Sequence, residues 1–234
     1  SDGVGGRVRT DRVEGFLLDR GFQILLTAYP EAQRLLDYET LGLKPFESGA
    51  IIRRPDGFTV LPDPFKNPGA VGAALTAPVG SLGDKLRILR LSLDTDDADD
   101  TETFHHSATD TLSYLRGYGF SEKMIDLFFR PFFGGVFLEN DLGTSSNFFR
   151  FVFKNFYAGD ATLPAEGIGA IPEQIQRMLP PGTVQTGTRV ARVEGTRVFL
   201  QNGQSLTADS VVLAVDAHAA DALLGLPEKR AFHH

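Results

Sequence analysis

The chain has 234 residues, 42% hydrophobic and 23% charged, an ordinary globular composition with room for one large domain or two smaller ones. With 30 acids against 23 bases the net charge is -7, which argues against nucleic-acid binding as the main function; no nucleic-acid partner is expected. Cysteine is absent, which excludes disulfides, thiolate metal sites and cysteine nucleophiles, and no run of about 18 apolar residues predicts a transmembrane helix.

The opening SDGVGGRVRT places Gly3, Gly5 and Gly6 just ahead of Arg7 and Arg9. Glycines let a backbone approach a ligand or adopt positive φ, and an arginine beside them can fork onto a phosphate. The same residues also suit a frayed terminus. Residues 12–23 read as strand-like around FLL, punctuated by Gly15 and Gly21. YPEAQRLLDYETLG predicts a short helix opened by Pro30 and stopped by Gly42. Two short strands are expected over 51–61, around the turn Pro55-Asp56-Gly57. Residues 67–83, rich in Gly, Pro and Ala, predict no clear element, and DKLRILRLSL predicts an amphipathic helix. The acidic run 94–102 lacks the glycine and closing glutamate of an EF-hand and is expected to be a solvated loop. His105 and His106 are adjacent, so their side chains diverge; they are expected in a loop or helix start, not as ligands.

From Ser107 the pattern is helical up to Gly117-Tyr118-Gly119. Ser121 suits the N-cap of EKMIDLFFR, which Pro131 is expected to end or kink. Of the 19 phenylalanines, 11 lie between Phe120 and Phe156. NFFRFVFKNF puts Phe149, Val152, Phe153 and Phe156 on one helical face, widened by Phe148 and Phe151. That face fits a filled core, and it also fits the wall of an apolar cavity. In LPAEGIGAIPEQIQRMLP, Pro172 lies near the first turn of a helix whose buried side is expected to be Ile171, Ile175, Met178 and Leu179. TRVARV and RVFL predict strands, with a hairpin at Asn202-Gly203 after them. ADSVVLAVDAHAADALLGL predicts a buried parallel strand passing into a helix.

Three of these stretches share a resemblance. GVGGRVRTD…GFLLDRGFQ resembles the Gly-Gly-Arg-x-x-Thr segment of the flavin family that holds amine oxidases, protoporphyrinogen oxidases and carotenoid desaturases. LPAEGIGAIPEQIQRML…TRVARVEG…LTADSVVLAVDAHAA looks like that family's return to its FAD domain. RPFFGGVFLENDLGTSSNFF looks most like the phytoene desaturase-like branch. The resemblance covers most of the chain. It implies an α/β fold: an FAD-binding Rossmann-like domain, incomplete because its N-terminal βαβ unit is missing, with an inserted α+β substrate domain. The implied boundaries are 1–45 and 165–234 for the cofactor domain and 46–164 for the substrate domain. In the family a Gly-x-Gly-x-x-Gly turn and a ribose-binding acid come first, and here they would fall ahead of Ser1. The sequence therefore reads as an internal fragment, and whether His233 and His234 are native stays open.

The resemblance implies FAD as cofactor and no metal. Gly5 and Gly6 would bring backbone N–H groups to the FAD pyrophosphate, and Arg7 would neutralise it. Gly21, Phe22 and Gln23 match the segment that passes along the isoalloxazine. Val190 matches the position whose backbone pairs with the adenine edge, and it is equally an ordinary strand valine. The implied reaction is removal of hydride from carbon, which needs no serine or cysteine nucleophile. The catalytic residues are unassigned, since His218 reads better as a surface or helix-cap residue. The expected partner is an apolar small molecule such as a carotenoid-like polyene. Porphyrinogen or amine substrates, a relative serving as an inactive binding or scaffold module, and a peripheral membrane contact remain as alternatives. The cytoplasm or a membrane surface is the expected location, with the oligomeric state open.

Overall fold

The computed structural model describes residues 2–21, 24–96, 104 and 107–226. The chain divides into two compact units, residues 1–23 with 166–233, and residues 24–165. Among the described residues every strand pairing is antiparallel. No helix among them is long and apolar enough to cross a membrane.

Residues 12–23 do not form one strand. Strands β1 (Thr10–Val13) and β2 (Phe16–Asp19) make a hairpin around Glu14 and Gly15, with φ of 50° and 86°. Two successive left-handed residues match the twist of the flanking strands. Next come β3 (Leu25–Leu26) and a helical stretch that splits in two. Pro30 opens α1 (Pro30–Leu35), the backbone extends at Leu36, and the Asp37 carboxylate caps α2 (Tyr38–Leu41) by accepting the Thr40 N–H at 3.0 Å. Gly42 stops α2 in a left-handed conformation. Strand β4 (Lys44–Pro45) follows. Residues 24–45, grouped by sequence with the cofactor segment, belong to the second unit, because β3 and β4 both pair there with the later strand at Ala161–Leu163.

Strands β5 (Gly49–Arg54) and β6 (Gly57–Pro62) form the expected hairpin. Where no clear element was expected, a 3-10 turn (Pro68–Ala70) leads into α3 (Val71–Thr76). Helix α4 (Leu82–Asp96) follows, but its faces are not those of a simple amphipathic helix. It buries Asp84, Leu91, Ser92 and Thr95, and it leaves four leucines exposed. The rest of the acidic run, 97–102, and His105-His106 lie outside the described residues.

Helix α5 (Thr111–Tyr118) is capped by Asp110 and ended by left-handed Gly119. Ser121 caps α6 (Glu122–Met124), accepting the Met124 N–H. Pro131 does not end the helix. Ile125–Phe129 widens into a π-helical turn in which the Arg130 N–H bonds to the Ile125 carbonyl, and α7 (Arg130–Phe137) takes Pro131 in its first turn. There its missing N–H costs little. The loop after α7 is folded around Glu139, whose carboxylate accepts the N–H groups of Asp141 and Thr144. A Cβ at Gly134 would lie 2.9 Å from the Glu139 carbonyl, so this glycine is required by close backbone approach. Helix α8 (Ser146–Ala158) leads to β7 (Ala161–Leu163).

The core of the second unit is aromatic. Phe129, Phe133 and Phe149 are fully buried, with Val79, Leu91, Leu115, Met124, Ile125 and Leu142 around them. Phe133 meets Phe149 edge to face at 4.7 Å, and Phe120 meets Phe129 at 4.8 Å. Each such side chain stabilises the fold by about 1.5–3 kcal/mol on burial, with about 0.5–1.5 kcal/mol more from a well-oriented pair. Most phenylalanines of the 120–156 stretch are therefore filling a core.

In the first unit, α9 (Ala170–Arg177) does not bury the expected set. Ile175, Met178 and Leu179 are exposed, and Gln174 is buried. Its N-terminal turn is tied to the first hairpin, and that tether fixes which face turns inward. Strands β8 (Val190–Glu194), β9 (Arg197–Leu200) and β10 (Ser205–Thr207) form a three-stranded meander, with Asn202-Gly203 between the last two. Ser210–Val215 was expected to be a buried parallel strand. It pairs with no strand among the described residues, and Val212 is 88% exposed. A parallel strand needs a neighbour brought by a crossover, which no described segment supplies. Asp216 caps the last helix, α10 (Ala217–Leu224).

One carboxylate sets the rotation of α4. Asp84 is wholly buried. It accepts the N–H groups of Ser81 and Ser121 at 2.6 and 2.8 Å, and both serine hydroxyls at 2.7 Å. It so caps α4 and α6 together. Burial alone would raise its pKa, but these hydrogen bonds outweigh that and hold it at about 2, against an ordinary 3.8. A carboxylate depressed in the folded state contributes stability above its unfolded pKa and loses it as pH falls through the folded one. Asp84→Asn is therefore expected to lower stability at pH 7 by about 2–3 kcal/mol. Urea unfolding should show the difference from wild type shrinking as pH falls from about 4 towards 2.

Candidate functional site

In the first unit, residues 5–8 form a tight turn closed by the Val8 N–H on the Gly5 carbonyl at 2.7 Å. Gly5 and Gly6 have φ of 91° and 55°. A Cβ on Gly5 would collide with the Val8 carbonyl and lie 2.7 Å from Pro172 Cγ. On Gly6 it would meet nothing within 4 Å. Gly5 is thus required by the fold, whereas Gly6 leaves its outer side open. Arg7 is exposed, and among the described residues its side chain has no hydrogen-bond or ion-pair partner. The neighbouring arginines are engaged: Arg9 pairs with Asp2 at 2.7 Å and Arg20 with Asp11 at 2.8 Å.

The turn is held by residues that the sequence reading passed over. Thr10 Oγ1 donates to Asp19 Oδ1 and accepts the Gly169 N–H at 2.9 Å. The same Asp19 oxygen accepts the Ile168 N–H at 3.0 Å. Gly167, Ile168 and Gly169 are all buried. A Cβ on Gly167, at φ 85°, would collide with the Thr10 side chain, and one on Gly169 would lie 2.9 Å from the Thr10 nitrogen. The signal available in sequence was the pair of glycines around Ile168, just ahead of Pro172.

The other expected site residues are more dispersed. Gly21 is exposed at φ 83° with open space at its Cβ position. Phe22 and Gln23 lie outside the described residues. Val190 begins β8 opposite Leu200, half-buried, beside an irregularity in the register. Among the described residues no hydrogen bond joins Gly21 or Val190 to the glycine turn. No group of three or more His, Asp and Glu among them could hold a metal ion.

The second unit carries a chain of rings that its core does not absorb. Phe137 meets Phe148 at 5.5 Å, Phe148 meets Phe151 at 6.5 Å, and Phe151 meets both Tyr29 at 5.8 Å and Phe104 at 5.7 Å. Phe148 is 41% exposed. Beside Phe137, Leu138 is 91% exposed and left-handed at φ 58°. A side chain larger than glycine in that conformation costs on the order of 1 kcal/mol.

A family model described as flavin-containing amine oxidoreductase matches residues 1–233. The chain belongs to this family. No curated protein matches it. The family is flavin-containing, so FAD is the expected cofactor and the chain is an oxidoreductase. The glycine turn fits such a group: it offers an open backbone at Gly6 and an unpaired guanidinium at Arg7, both suited to an anionic pyrophosphate.

The Thr10 junction yields a direct test. Thr10→Val keeps the shape but leaves the Gly169 N–H without its acceptor. It is expected to cost about 1–3 kcal/mol and to reduce hydrogen-exchange protection at Ile168 and Gly169. Gly167→Ala should cost at least as much, because it adds both strain and a collision.

Proposed function

We propose that this chain serves an FAD-dependent oxidoreductase that removes hydride from an apolar substrate, with a carotenoid-like polyene as the substrate class, in the manner of a desaturase. The observation that carries the cofactor assignment is the open Gly6 backbone beside the unpaired Arg7. When bound, FAD supplies the hydride acceptor. Gly6 lets the pyrophosphate approach, Arg7 neutralises it, and Thr10, Asp19 and the 167–169 glycines hold the turn in shape. Gly21 to Gln23 and Val190 are proposed to line the isoalloxazine and adenine ends. In this reading the segments of the first unit form part of a Rossmann-like cofactor domain, and the second unit is the inserted substrate domain. RPFFGGVFLENDLGT is the stretch that points to the desaturase-like branch.

The substrate class rests on the ring chain. Phe148, Phe104 and Leu138 offer exposed apolar surface with no charged group among them, which suits a polyene better than a cation. The strained, exposed Leu138 fits a functional position, since backbone strain that the fold does not need tends to sit at sites of use.

Two expectations test this. Gly6→Ala should leave the fold within about 1–2 kcal/mol of wild type yet lower flavin retention after dialysis. Arg7→Ala should lower it as well, through loss of a charge-assisted contact of about 1.5–3 kcal/mol. Flavin content unchanged in both variants would remove the cofactor assignment. Leu138→Gly should hold or raise stability, by up to about 1 kcal/mol, while weakening polyene-dependent bleaching of the flavin under anaerobic conditions. Bleaching by amines alone would replace the polyene reading with an amine oxidase.

A further inference from the structure

Helix α4 has two apolar faces and only one of them is covered. Asp84, Leu91, Ser92 and Thr95 face inward. On the opposite side Leu82, Leu86, Leu89 and Leu93 are 60%, 58%, 42% and 57% exposed. Their spacing of four, three and four residues is that of the a and d positions of a heptad, the seam along which two helices interlock. Because the Asp84 clasp fixes the rotation of α4, the leucines cannot turn inward. We propose that this stripe is the interface at which two copies of the chain pair, with their α4 helices antiparallel.

The charges select both the occupant and the direction. Lys85 and Arg90 flank the seam at the positions that face each other across a parallel pair, so a parallel dimer would oppose like charges. Antiparallel pairing brings Lys85 beside the partner's Ser92 and Arg90 beside the partner's Gly83, which removes that conflict. Along α4, the bases Lys85 and Arg87 lie near the N-terminus and the acids Asp94 and Asp96 near the C-terminus. This order opposes the helix's own dipole. An antiparallel copy places the acidic end of one helix beside the positive N-terminus of the other. A lipid surface fits less well. The face opposite the leucines is packed into the protein rather than lined with Lys and Arg, and the acids at the helix end would be repelled by anionic headgroups.

The absence of native cysteine makes the geometry measurable. Sedimentation of the full chain from low micromolar to millimolar concentration should show a monomer–dimer equilibrium. Leu86→Glu with Leu89→Glu should weaken it at least tenfold, with circular dichroism and thermal unfolding unchanged because both side chains are exposed. Leu82 and Leu93 lie about 16 Å apart along the helix axis at ~1.5 Å per residue. In an antiparallel pair, mixing the Leu82→Cys and Leu93→Cys chains should therefore give a disulfide between unlike chains, and Leu93→Cys alone should give little. Ready self-linking of Leu93→Cys would overturn the antiparallel arrangement. A monomer throughout that range would overturn the proposal. So would a monomer whose binding to anionic phosphatidylserine vesicles is abolished by the same double substitution, since the stripe would then meet lipid.

Discussion

The Thr10 hydroxyl is the constraint on which the candidate cofactor site depends. It joins two stretches of chain 159 residues apart, donating to Asp19 on its own hairpin and accepting from Gly169 at the start of α9. The contact is possible only because residues 167 and 169 have no side chain. It brings Pro172 against Gly5, and so shapes the turn that presents Gly6 and Arg7. A site made of backbone and one free guanidinium has little rigidity of its own. Its geometry comes from the polar junction beneath it.

The second unit is organised by the same kind of device. Asp84 is a buried charge satisfied by four donors from two helix starts, so it orders α4 and α6 at once. A carboxylate in that position is costly unless every hydrogen bond is made, which ties the rotation of α4 to the placement of Ser121. The aromatic core then fills the space between these helices and α8. Rings that lie beyond the filled volume, from Phe137 to Phe104, are left to meet something other than the core.

Much of the local structure was legible in the sequence, wherever the determinants are close together. Ser121 as a cap, Gly42 and Gly119 as helix stops, the Pro55–Gly57 turn and the Asn202-Gly203 turn follow from the conformational demands of single residues. The glycine and arginine cluster at the start could be read as a phosphate-type turn because close approach and charge are properties of residue type. The family was legible for the same reason, through segments whose order along the chain carries the likeness.

What the sequence by itself determined, then, is which residues could turn, cap, cluster or bear charge, together with the flavin chemistry expected of the family. The tertiary structure decided which faces those residues use. Periodicity made α4 and α9 amphipathic in the ordinary sense, but one buried carboxylate and one threonine hydroxyl, acting across long separations, rotated them so that leucines face outward on one and Gln174 faces inward on the other. Apolar runs likewise do not choose their own partners: Ser210–Val215 has the composition of a central strand, and only a neighbouring strand could make it one. Burial is a property of pairs of segments, and a single segment's pattern cannot fix it.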